Sequence, residues 1–359
     1  MDGSFAESKL HSLERHLGAE WPSIKKAHSD TLVMRKGLSD LFGKRRASDT
    51  TVVLFGSVAR YEVTSNSDVD WILLLDGSAT PEHRSLTTDV EETLVNNKYI
   101  KPGSSGIFGT FVGSHDLVHK IGGEDDSNSN TTRRVLLLLE SLPLGDREAY
   151  DRVRKQILRR YIEDDRGLTH STGDTRVPRF LLNDLTRYWR TVTVDFVYKQ
   201  VADADKKWAI RNAKLRMSRK LVFAAGLLRC FFCNLDKAAA EARESLKGPT
   251  REVAFLLKYL EDQFDLSPLE TVARACLSLD IKKETALSIF DSYDRFLAVL
   301  DDKEKRKELE EAHSHDDLRA SKAWEEVRKM TRPFHQGLVN LFLTDDIRLR
   351  DLTMEYGIF

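Results

Sequence analysis

Apolar residues fall along this chain in two rhythms. Up to about residue 145 they come in short runs, Val52 to Phe55 and Trp71 to Leu75, stopped by glycine or by polar residues. Such runs predict buried strands. A helical stretch follows from about Pro81 to Asn97, and Gly106 to Asp116 predicts a further strand. Beyond about residue 145 the strand signals stop and apolar positions recur with a period near 3.6. Helices are predicted from roughly Asp146 to Tyr161, Pro178 to Val201, Lys207 to Leu235, Glu252 to Phe264, Pro268 to Leu279, Lys283 to Leu300, Asp302 to Met330 and Pro333 to Leu343. The polar stretch Asp164 to Asp174 is a linker or loop, and no internal repeat is visible. The expected organisation is an N-terminal helical lead over 1–48, a small α/β domain over 49–145, a helical domain over 146–345 and a tail over 346–359.

The two short runs frame the chemistry. Gly56-Ser57 follows the first run, and Asp68-Val69-Asp70 opens the second. Alternation along a strand puts Asp68 and Asp70 on one face. Two carboxylates that close repel each other, and a hard divalent cation such as Mg2+, which takes carboxylate and phosphate oxygens, relieves the repulsion. Gly56 lets the backbone come close to a ligand, and Ser57, opening the helix suggested by Val58 to Val63, offers N–H groups and a hydroxyl to phosphate. Taken alone, Gly-Ser pairs are mostly turns and Asp-x-Asp pairs mostly solvated loop ends. Between two apolar strands the combination points to a metal site for phosphate chemistry.

Gly56-Ser57, ten residues, then Asp68-Val69-Asp70 resembles the signature of the DNA polymerase β-like nucleotidyltransferase superfamily. The resemblance covers about the first third of the chain. It implies an α/β (α+β) nucleotidyltransferase core with a small mixed sheet, followed by a large all-helical C-terminal half. It further implies that Asp68 and Asp70 hold two Mg2+ ions, with Mn2+ as a substitute, and that Gly56 and Ser57 grip a nucleoside triphosphate. In-line attack on the α-phosphate would then expel pyrophosphate. The superfamily usually adds a third carboxylate on a following strand. Gly106 to Asp116 carries no acid before Asp116, which is the candidate. Glu124-Asp125-Asp126 is expected to be a solvated loop capping a helix that starts near Asn130.

Composition bounds the rest. With 359 residues, 41% hydrophobic and 31% charged, the chain is long enough for two domains of ordinary soluble composition. The longest apolar run, Val135 to Leu139, is far too short for a bilayer, and Met1-Asp2-Gly3-Ser4 lacks a basic n-region, so a cytoplasmic location is expected. Cys230 and Cys233 have redox or zinc spacing, but they continue an apolar helical stretch without a second Cys or His pair; with Cys276 they are expected to be core thiols.

The formal net charge is −1, yet Arg176 to Lys220 carries twelve basic residues against four acidic ones. Phe180, Tyr188, Trp189, Phe196, Tyr198 and Trp208 are interleaved with them. Either the rings are core and the charges a solvated helix face, or the segment is a wall facing a nucleotide or a single strand. The superfamily places basic residues of its helical domain on the triphosphate, which singles out Lys214, Arg216 and Lys220. Asp301 to Glu311, with mixed charges at helical spacing, is expected to be a surface helix. His313, His315, Asp316 and Asp317 mimic a metal cluster but are expected to form a solvated turn.

The C-terminal run Met354-Glu355-Tyr356-Gly357-Ile358-Phe359 is apolar enough to dock into a groove. A tyrosine hydroxyl is also a legitimate acceptor for nucleotidyl transfer. The core motif together with Tyr356 in the tail resembles the nucleotidyltransferases of the Hailong anti-phage defence systems. That resemblance implies dATP as substrate, single-stranded oligonucleotide as product, Tyr356 as the priming hydroxyl and a separate membrane effector that reads the product. Rival expectations are a protein-modifying nucleotidylyltransferase transferring AMP or UMP, supported by a looser likeness in Asp126 to Asp146, a cyclic or short oligonucleotide synthase, and an inactive binding module.

Overall fold

The computed structural model describes residues 4–43, 49–103, 106–169, 176–202, 207–244, 249–313 and 315–358. Residues 170–175 of the expected linker, Asp203, Asp205 and Lys206 of the basic segment, and Phe359 lie outside the described residues.

Two helices, α1 (Lys9–Leu17) and α2 (Pro22–Phe42), lead into β1 (Thr50–Phe55), α3 (Gly56–Arg60), β2 (Trp71–Leu75), α4 (Pro81–Asn96), β3 (Thr110–Gly113), α5 (Ser114–Val118), α6 (Asn128–Leu139) and β4 (Ser141–Leu144). The strands form one mixed sheet in the order β3-β2-β1-β4. Here β1 is antiparallel to both β2 and β4, and β2 is parallel to β3. Val53, Phe55, Ile72 and Leu74 enter the main core on one face. Val52, Leu54, Trp71 and Leu73 enter a second cluster with Leu38 and Phe42 of α2 and Val90 and Leu94 of α4. Both faces are therefore covered, which is why Val52 to Phe55 and Trp71 to Leu75 are apolar at every position.

The rest is helical: α7 (Glu148–Glu163), α8 (Arg166–Thr169), α9 (Arg179–Ala202), α10 (Trp208–Lys214), α11 (Lys220–Leu235), α12 (Lys237–Glu244), α13 (Pro249–Phe264), α14 (Pro268–Ser278), α15 (Lys283–Asp301), α16 (Lys303–Glu311), α17 (His315–Ala320), α18 (Lys322–Asn340) and α19 (Ile347–Leu352). The main core runs from Leu10 of α1 through the strands into Phe334 of α18, so sheet and helical half share one interior. Among the described residues no helix is long and apolar enough to cross a membrane. Cys230, Cys233 and Cys276 are buried and form no disulfide among the described residues, and burial pushes the Cys276 thiol up to about 12.

Several expectations change. The strand expected over Gly106 to Asp116 shortens to β3, because Gly106 and Gly109 both turn through φ 71° before it and α5 begins at Ser114. The helix expected over Asp302 to Met330 breaks into α16, α17 and the start of α18. The Asp302 carboxylate accepts the N–H groups of Glu304 and Lys305, and the Ser321 hydroxyl accepts that of Trp324; each caps a new start. Pro333 starts no helix and lies inside α18 on an exposed face, where water can reach the carbonyl it leaves unbonded. Asp126 is not solvated. It is buried and accepts from Arg134 Nη2 at 2.8 Å, Arg187 Nη1 at 2.7 Å and the Gly122 N–H at 3.1 Å, while Ser127 caps α6. An α helix, α12, also forms in the alanine-rich stretch after Leu235, where none was expected.

Candidate active site

β1 delivers the chain to Gly56, whose φ of +66° favours glycine. The five-residue α3 then presents Ser57 and closes at Tyr61, itself left-handed at φ 62°. Its carbonyls are fastened from α2: buried Arg35 donates from Nε to Val58 O and from Nη2 to Ala59 O, both at 2.9 Å. The same guanidinium lies 3.7 Å over the Tyr61 ring, whose other stacking partner is His28. The Gly-Ser turn is thus held rigidly.

Asp68 and Asp70 lead directly into β2, held by two backbone bonds. The Val69 N–H donates to Ile100 O, and the Phe55 N–H donates to Asp70 O, both at 2.9 Å. Val69 is fully buried between them, and both carboxylates line one small cavity with Gly56 and Ser57. The preceding loop is tied to the helical half, since Ser65 N donates to Asp301 Oδ1 at 2.9 Å and Arg306 Nη1 to Thr64 Oγ1 at 3.4 Å. Burial, and then the charge of Asp68, push the Asp70 carboxyl up to about 7. A carboxylate pair this uncomfortable suits a divalent cation, which removes the repulsion.

Cations close the cavity from the other side. Lys214, Ser218 and Arg219 come from the end of α10 and from a one-turn π-helical segment, Leu215–Arg219, that joins it to α11. Insertions of this kind re-aim side chains and are frequent at functional sites. Burial lowers the Lys214 pKa, against the pull of Asp68. Arg219 Nη1 donates to Glu140 at 2.9 Å, and Arg60 donates to Glu140 at 2.5 Å and to Glu62 at 2.8 Å. Arg306, buried on α16, completes the wall. Sequence reasoning missed Arg60, Arg219 and Arg306 as site residues. Arg219 was within the basic stretch, and Arg60 lay inside the Gly-Ser to Asp-x-Asp interval. Arg306 carried no local signal and corrects the view of Asp301 to Glu311 as only a surface helix.

The structure separates other candidates from the pair. Asp116 lies on α5, not on a strand, half exposed and paired with Lys120 at 2.8 Å. The residues before and within β3 carry no acid, and Phe108 precedes Thr110 by two positions as Asp70 precedes its partner Ile72. Both Glu140 oxygens are engaged by arginine, whereas Glu62 lines the aspartate cavity with Oε2 on Arg60 and its buried Oε1 without a hydrogen bond among the described residues. Among the described residues no group of three metal-ligating side chains forms, whether here or at His313. Arg216 is exposed and Lys220 lies near it and His335; neither lines the aspartate cavity. Tyr356 packs against the main core with Arg179 5.7 Å over its ring, and it too is absent from that cavity's lining.

Residues 34–104 match the nucleotidyltransferase domain family. The matched stretch holds Gly56, Ser57, Asp68 and Asp70 and ends before β3, where the superfamily's third carboxylate was sought. The match supports nucleotide transfer in general, with a nucleoside triphosphate as substrate, and domains of this family typically use divalent metal ions. Comparison with curated proteins gives no match.

Proposed function

We propose that the chain transfers a nucleotidyl group from a nucleoside triphosphate to a hydroxyl acceptor. The observation that carries this reading is the cavity in which Asp68 and Asp70, beside Gly56 and Ser57, face Lys214, Arg219 and Arg306. Asp68 and Asp70 would hold divalent cations. When bound, Mg2+ at such a pair neutralises phosphate charge and lowers the pKa of an acceptor hydroxyl. Ser57 offers its hydroxyl and N–H to phosphate oxygens at the closed end of the turn. Lys214, Arg219 and Arg306 take up negative charge that shifts from the α-phosphate onto departing pyrophosphate. Glu140 and Glu62 keep Arg60 and Arg219 in place: Glu140 is bonded to both guanidinium groups and Glu62 to Arg60 through Oε2.

The finer reading is that dATP is polymerised into a single-stranded oligonucleotide signal in anti-phage defence. It is supported by the core motif and the tyrosine-bearing tail. Incubating the purified protein with each labelled dNTP and NTP plus Mg2+, and resolving products by size, tests both levels. A ladder supports polymerisation, and label on a protein supports a modifier. No transfer from any triphosphate would overturn nucleotidyl transfer itself.

A further inference from the structure

Beside the aspartate cavity, of about 50 Å³, lies a second one of about 230 Å³. Lys214 and Arg219 line both, so the two cavities adjoin at these cations, and phosphates bound in the small one would leave the attached nucleoside next to the large one. That larger space is walled by Phe108, Tyr188 and Phe196, rings suited to the flat face of a base. Asp195 also lines it. Half-buried on α9, Asp195 makes no hydrogen bond or ion pair among the described residues. A carboxylate is an acceptor only, and in a pocket walled by aromatic rings it calls for a donor.

We propose that Asp195 reads the base of the triphosphate and selects bases that carry an exocyclic amine. The inference rests on the nucleotidyl-transfer reading and deepens it to a substrate class. An amine donates to the carboxylate. A carbonyl oxygen at the same place, as in ITP against ATP or UTP against CTP, repels it, and a bare hydrogen, as in ITP against GTP, leaves it without a donor.

The test is equilibrium binding of non-transferable α,β-methylene analogues of ATP, ITP, GTP, CTP and UTP to the full chain with Mg2+. The amine-bearing member of at least one pair, ATP over ITP, GTP over ITP or CTP over UTP, should bind tightest of the set, by about tenfold to a hundredfold. Asp195→Ala should erase that preference. Asp195→Asn, whose amide also donates, should admit ITP and UTP. The proposal is overturned if ITP or UTP binds as tightly as the best amine-bearing analogue, if the preference survives Asp195→Ala, or if no analogue binds. Selective binding without transfer from ordinary triphosphates would defeat the reading of the function while leaving this one standing.

Discussion

A β-carbon on Gly56 would lie 2.9 Å from Oδ2 of Asp70. Real β-carbons essentially never come that close to another atom, and the φ of +66° at Gly56 adds about 1–2 kcal/mol of strain for any other residue. The turn and the carboxylate therefore depend on each other. Gly56→Ala is expected to lower the melting temperature by about 2–5 °C. It should cut transfer by about a hundredfold, the usual cost of misplacing a reacting group by about 1 Å. Wild-type turnover in this variant would mean that the close approach has no part in the chemistry.

Asp70→Asn should move stability and activity in opposite directions. Without metal, the substitution removes a buried charge beside Asp68, so at pH 8 the metal-free variant should melt a few degrees above the parent. Transfer should fall by about a thousandfold or more, because the pair's several kcal/mol of charge stabilisation is gone. Calorimetry in chelator and a radiolabel transfer assay give the two readings. A less stable metal-free variant would show that the aspartates do not repel as placed.

On the turn between α10 and α11, side chains close in sequence face opposite ways. Lys214 and Arg219 look into the aspartate cavity, whereas Arg216 is exposed and Lys220 lies towards His335. Lys214→Met is expected to weaken triphosphate binding about tenfold to a hundredfold, as for a lost hydrogen bond to a charged group. Arg219→Gln should do the same and also destabilise the fold, since it takes one of two guanidinium partners from buried Glu140. Arg216→Ala and Lys220→Ala should leave binding within about twofold, the scale of an exposed charge contribution. Fluorescence titration with a labelled triphosphate checks all four.

What could be read from the sequence was what lies close along it. Gly56, Ser57, Asp68 and Asp70 span fifteen residues, and a spacing of two in the stretch leading into β2 accords with both carboxylates lining one cavity. The apolar runs that became β1 and β2 announced their double burial directly. The third carboxylate failed because β3 is short and starts after two glycine turns, so counting from the expected strand put Asp116 on a sheet it never joins. Asp126 looked like loop because its buried partners, Arg134 and Arg187, are 8 and 61 positions away. Arg306 was hidden for the same reason: its tertiary contact with Thr64, 242 residues earlier, distinguishes it from the exposed charged residues on α16.

Arg306 therefore offers a sharp check on the distant half of the cavity. Its Nε donates to Glu310 at 3.1 Å, which aims the guanidinium towards Thr64 and the aspartates. Arg306→Gln should reduce kcat more than it weakens triphosphate binding, by about tenfold to a hundredfold, if its charge meets departing pyrophosphate rather than the bound substrate. Glu310→Gln, which only loosens the aim, should show a smaller loss of the same kind. Unchanged kcat in Arg306→Gln would restrict this residue to holding the Thr64 loop.

The tail poses the last question. Tyr356 sits half-buried on the main core beneath Arg179, while Tyr188, further along the same helix, lies beside Arg219, which lines the aspartate cavity. Arg179 and Tyr188 are nine positions apart on α9, about 14 Å of helix rise. Tyr356 does not line the aspartate cavity, so a priming role requires the tail to leave its seat, and packing alone does not. Tyr356→Phe keeps the ring and its cation–π contact and removes only the hydroxyl. If the hydroxyl primes, this variant makes no product from triphosphate alone yet still extends a supplied oligonucleotide. Arg179→Ala removes the cation over the ring, a contact of about 0.5–1 kcal/mol, and should then raise initiation relative to extension by about two- to fivefold. Gel analysis of products with and without a supplied oligonucleotide reads both ratios, and full de novo synthesis by Tyr356→Phe would reduce the tail to packing.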